Sequence, residues 1–149
     1  MQLKKITFLK VLILVIVILA IMIFINARKI SGLTFEKQSD VEYTATLNNE
    51  IYTVLFRPKH AISPLFGMAT TELGTKFALV RDDLPKSAKN FVMHHEIYHL
   101  QDHARKSTLS MEIHATLGAI PYAPLGFLQT VILTLTDADR RNLYSKKFF

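Results

Sequence analysis

The sequence predicts an α+β chain, with an N-terminal transmembrane helix followed by a small domain of about four strands, a long helix and two or three further helices. Three observations predict it. Residues 6–25 form an almost unbroken apolar run, residues 41–83 hold four stretches rich in β-branched and aromatic residues, and apolar residues recur at helical spacing after Pro85.

The chain has 149 residues, 50 % of them apolar, with neither Cys nor Trp. That length suits one compact domain. Without cysteine there is no disulfide framework, thiolate metal site or cysteine nucleophile. Of the formal net charge of +6, five charges lie in residues 1–29, on Lys4, Lys5, Lys10, Arg28 and Lys29, with no acidic residue among them. The remainder is nearly neutral. No basic stripe is left for nucleic acid, and no nucleic-acid partner is expected.

From Ile6 to Ile25 only Thr7 and Lys10 interrupt the apolar run. Twenty helical residues span about 30 Å, the thickness of a bilayer's hydrocarbon core, and a lysine near its edge can snorkel to the headgroups. The rival reading is a cleaved signal peptide. The apolar core is long for one, and at the one small-residue site, Ile25-Asn26-Ala27, a bulky Ile stands where a small side chain is needed. Residues 1–29 are therefore read as a membrane anchor. Basic residues flank both ends, so the positive-inside count is nearly balanced. A cytoplasmic N-terminus with the domain outside is the orientation taken.

Residues 30–40 are polar, contain Gly32 and read as a linker, leaving residues 41–149 as the domain. VEYTATL and EIYTVLFR flank Asn48-Asn49, a pair that tolerates positive φ, which predicts a β-hairpin. FGMATTEL and KFALVRDD, joined through Gly74-Thr75, predict a second strand pair. Pro85 or Ser87 can open a helix through AKNFVMHHEIYHLQDHARK, with Phe91, Met93, Ile97, Leu100 and Ala104 on its apolar side. Ser107 or Ser110 can cap the next helix, MEIHATLGAI, which Pro121 and Pro124 should end. The apolar stretch 125–135 is too short to cross a bilayer and reads as a helix buried in the domain or pressed against lipid. The tail from Asp137 reads as a short surface helix with an Asp cap.

His95-Glu96-Ile97-Tyr98-His99 is an HExxH pattern on the first of these helices. Two histidines four positions apart lie one above the other, so their imidazoles can converge on one metal ion. Glu96, one position on, can reach a water in the metal's open position and take its proton. Competing readings are a solvated His-rich face for the motif, an exposed loop for His60, and a surface or supporting place for His94.

A catalytic zinc site needs a third protein ligand, and Glu112, His103 and His114 are the candidates. On one straight helix His103 lies about 12 Å along the axis from His95. Glu112, early in the next helix, returns toward the pair through the turn near 105–109 and is the preferred ligand. Its bland reading is an ordinary glutamate near a helix N-terminus.

The pattern of His95, Glu96, His99 and Glu112 resembles a gluzincin metallopeptidase, and the small size is similar to the minigluzincins. The resemblance covers roughly residues 76–119, and only the pentapeptide within it is highly specific. It implies a zincin-like domain in which His95, His99 and Glu112 hold Zn2+ and Glu96 is the catalytic general base. The edge strand that pairs with extended substrate would be KFALVRDD. Glu112 followed by Ala115 is similar to the second helix of related families, whereas Thr116 stands where many place an aspartate that supports a zinc-binding histidine. Asp102 is the candidate substitute. The metzincin pattern fails, with Asp102 and Arg105 at the offsets of its Gly and third His. An intramembrane protease is disfavoured by the charged flanks Lys86, Lys89, Asp102, Arg105 and Lys106.

The expectation is a membrane-anchored zinc-dependent metalloendopeptidase acting on peptide or protein substrates near the bilayer. His114, Tyr122 and Tyr144 are candidates for stabilising an oxyanion. A different class is a membrane-tethered binding or assembly protein with a structural metal or none. A third reading keeps the protease latent under a segment such as Ile30 to Asp40.

Overall fold

The chain is described by a computed structural model covering residues 2–102, 108–137 and 140. Helix α1 (Gln2–Arg28) leads into strands β1 (Thr34–Lys37), β2 (Glu42–Leu47) and β3 (Glu50–Arg57). A single helical turn α2 (Lys59–Ile62) precedes β4 (Gly67–Glu72) and β5 (Thr75–Arg81). Helices α3 (Lys86–Gln101), α4 (Thr108–Ala119) and α5 (Pro124–Thr136) follow, with a 3-10 turn at Ile120–Tyr122.

Among the described residues the strands form one sheet in the order β1-β2-β3-β5-β4, antiparallel except for the parallel β3–β5 pair. It has five strands rather than about four. The additional strand is β1, from the segment read as a linker, whose Phe35 pairs with Ala45. The two hairpins close as the turn residues require. Asn48 and Asn49 have φ of 52° and 65° between the paired Leu47 and Glu50. In the second hairpin the turn is Leu73-Gly74, at φ of 48° and 82°, and Thr75 already belongs to β5.

Alternate residues of the sheet, Tyr52 and Val54 on β3 and Ala78 and Val80 on β5, are buried in one core with the apolar residues of α3. Helix α3 packs on β4 and β5, while α4 and α5 pack on it from other sides. It therefore buries residues all round, from Ala88 and Val92 to Met93, Ile97 and Leu100. It ends at Gln101: Asp102, expected within a longer helix, is instead its non-helical C-cap, and residues 103–106 of that expected helix lie outside the described residues.

Pro121 sits in the 3-10 turn, but Pro124 opens α5 instead of closing α4, at a position where a missing N–H costs nothing. Helix α5 buries Gly126 and Thr130 against α3 and exposes most of its aliphatic residues. A Cβ on Gly126 would lie 2.0 Å from the Ser87 carbonyl oxygen and 2.7 Å from Phe91 Cβ. The Arg140 backbone N–H donates to the Asp137 carboxylate at 3.3 Å, the bond an Asp cap makes. The remainder of the predicted tail helix lies outside the described residues.

Gly126→Ala should therefore destabilise the domain by about 1–3 kcal/mol through overpacking. The readout is the thermal unfolding midpoint of the full chain in detergent, and an unchanged midpoint would contradict the close α3–α5 crossing.

Candidate metal centre

Three donors from two helices meet at one point. His95 and His99, one turn apart on α3, bring their Nε2 atoms to 3.0 Å. The rings are nearly perpendicular, at 80°. From the second turn of α4, Glu112 places Oε2 3.3 Å from His95 Nε2 and 3.8 Å from His99 Nε2. All three side chains are half-buried, and the donors lie within 4.8 Å of one another. Ligand atoms around a tetrahedral ion at zinc-like bond lengths are separated by about 3.3 Å. The donor set fits a divalent cation with small adjustments.

Burial opposes ionisation of Glu112, but hydrogen bonds and charge from His95 and His99 outweigh it, holding its carboxyl far below the ordinary range. Glu96 shows the opposite balance. It is buried, and loss of solvation pushes its carboxyl up, against the attraction of His95 and His99. Its surroundings are close: a Cβ on Gly67 of β4 would lie 2.6 Å from Glu96 Oε1 and 2.5 Å from Val92 Cγ1. A glycine there lets strand and carboxylate come together.

The cleft holding these groups has a volume of about 870 Å3. β4 forms one wall, and Leu109, Ile113, Val131 and Leu135 of α4 and α5 line the opposite side. Among the described residues β4, not KFALVRDD, is the strand with an unpaired edge here, because β5 is paired on both sides, to β3 and to β4. The expectation for that strand is corrected to its hairpin partner, since sequence patterning does not say which member of a hairpin turns inward.

Other expectations are redistributed by α1. His114 Nδ1 lies 2.8 Å from Asn26 Oδ1, and the Tyr98 hydroxyl donates to the same oxygen at 2.5 Å. His114 thus faces α1 and is not brought into the donor cluster. Lys29, the residue after α1, binds Asp102 at 3.1 Å. The Tyr122 hydroxyl donates to the Ala27 carbonyl at 2.9 Å and does not line the cleft that holds the donor cluster. His103 and Tyr144 lie outside the described residues.

His94 is no surface residue: it is buried, stacked on Tyr122 with 5.3 Å between ring centroids and met edge-on by Phe35 of β1 at 5.0 Å. His60 is exposed. The segment proposed to cover the cleft instead forms β1, at the sheet edge opposite β4.

Thr116 lines the cleft, and His95 Nδ1 is buried without a hydrogen-bond partner among the described residues. Metal-binding imidazoles ordinarily donate this N–H to a carboxylate or carbonyl. Sequence reasoning overlooked Arg140, whose buried guanidinium lines the cleft, sits 3.5 Å over the Phe66 ring and donates to the Pro64 carbonyl at 3.1 Å. An arginine in a polar tail gave no signal that it would turn inward.

The full chain should bind one divalent cation at this centre, measured by equilibrium dialysis and metal analysis. Glu112→Ala should weaken zinc binding by at least about 100-fold, more than loss of a supporting partner typically does. Equal affinity in wild type and variant would remove Glu112 from the donor set.

No protein-family model, curated protein or solved structure matches the chain, so the chemistry of the centre is argued from its own donors and surroundings.

Proposed function

We propose that the chain is a membrane-anchored, zinc-dependent metalloendopeptidase. The observation that carries the reading is the convergence of His95, His99 and Glu112 beside the buried carboxyl of Glu96, in a cleft walled by a free strand edge. Two imidazoles and one carboxylate form a donor set suited to catalytic zinc, with room for a non-protein ligand. A cation held there would supply Lewis-acid polarisation of a carbonyl and acidify a coordinated water.

The chain's own groups have separate tasks. His95, His99 and Glu112 would hold the ion, and Glu96 would take a proton from the attacking water and return it to the leaving amine. Burial suits Glu96 for this exchange, because a carboxyl with a raised pKa both accepts and releases a proton more evenly near neutrality. The free edge of β4 would pair with an extended peptide through main-chain hydrogen bonds. Helix α1 would be the single membrane span, with the N-terminus cytoplasmic and the domain outside. Its segment Lys10–Arg28 is long and apolar enough to cross, and 6 % of it is buried in the domain.

A tethered binding protein with a structural metal is the competing reading. Structural zinc sites are closed by four protein ligands, whereas the cluster among the described residues supplies three.

Glu96→Gln should retain stoichiometric zinc and lose peptide cleavage by about 100-fold or more, the scale of general-base catalysis. Cleavage by this variant at the wild-type rate would contradict the proposed role.

A further inference from the structure

Helix α5 carries no charged residue, and its exposed Leu125, Leu128, Ile132 and Leu135 follow one another at helical spacing, with exposures from 56 % to 70 %. Leu109 and Ile113 on α4 and Val131 on α5 extend this apolar surface. Leu109, Ile113, Val131 and Leu135 also line the cleft that holds His95, Glu96 and His99. The rim of the cleft and the apolar surface are therefore one continuous feature. Soluble monomers rarely leave such a surface uncovered.

The attachment of α1 indicates what covers it. The domain does not hang from a polar stalk beyond the apolar run. Met22 and Ile23, still inside that run, are half-buried where α1 lies against α4 and the 3-10 turn. The Asn26 contacts with Tyr98 and His114, together with the Tyr122 bond to Ala27, fix this junction. A helix that spans a bilayer with its last apolar turns docked on α4 brings α4 to the hydrocarbon boundary. Helix α5 begins two residues after Tyr122.

We propose that the aliphatic surface of α5 and α4 seats the domain in the headgroup layer of the bilayer that α1 crosses, with the cleft opening at lipid level. This rests on α1 being the span. Combined with the peptidase reading, it defines the substrate class as peptide segments emerging from, or lying on, the membrane.

The native chain lacks tryptophan, so single tryptophans report position without background. Full chains carrying Leu128→Trp, Ile132→Trp, Leu135→Trp or Leu73→Trp are placed in phosphatidylcholine nanodiscs, with and without acyl-brominated phosphatidylcholine. Leu73, fully exposed at the β4–β5 turn, is the reference. Tryptophans at 128, 132 and 135 should emit to the blue of the one at 73 and lose intensity to brominated lipid, while the reference should not. Water-like, unquenched emission at 128 and 132 would overturn the proposal. So would blue-shifted emission without lipid quenching, the signature of cover by protein. Quenching at 128 and 132 but not at 135 would overturn the placement of the cleft. None of these readouts requires metal or turnover, so their failure is separate from failure of the peptidase reading.

Discussion

Two imidazole nitrogens held 3.0 Å apart, with a carboxylate oxygen 3.3 Å from one of them, set the constraint on which the site depends. Two lone pairs at that distance repel unless a proton or a cation lies between them. Partial burial sharpens the requirement, because solvent screens the donors less than at an exposed surface. A divalent cation satisfies all three donors at once, whereas a shared proton satisfies a pair. Deeper burial one position along α3 raises the pKa of Glu96, so one packing arrangement sets both the donor cluster and the carboxyl beside it.

That packing is imposed by the enclosure of α3. Three elements approach it at glycines. Gly67 brings β4 against Glu96 and Val92, Gly118 brings α4 against the Tyr98 ring, and Gly126 brings α5 against Ser87 and Phe91. In each case an added Cβ would fall within 2.6 Å of α3. The fourth approach is by α1, through the shared acceptor Asn26 Oδ1. The helix that fits a membrane thus also braces the helices bearing the donors. Tyr98 lies beside His99 in the chain, and His114 is two positions from Glu112.

Much of this was legible locally. The Asn48-Asn49 hairpin announces itself by residues that tolerate positive φ, and the spacing of His95 and His99 places both on one helical face. Short polar β1 resembled a linker because edge strands often carry charge, here Glu36 and Lys37, which blunts the apolar alternation. The inward and outward members of the β4–β5 hairpin have similar composition, and only pairing to β3 distinguishes them. The burial of His94 is not readable locally, where a surface and a supporting place are both open, because its neighbours, Phe35 and Tyr122, are distant in the chain. Asn26, Gly67 and Arg140 escaped notice for the same reason: each acts through a contact that no local pattern encodes.

X-ray absorption at the zinc edge, on the full chain loaded with one equivalent of zinc, reads the donor set of the bound ion. Convergence of His95, His99 and Glu112 on one ion predicts a four-coordinate shell of nitrogen and oxygen at about 2.0–2.1 Å, containing two imidazoles and an exchangeable solvent ligand. An oxygen-only shell, or one with a different number of imidazoles, would contradict the convergence of His95 and His99 on a single ion.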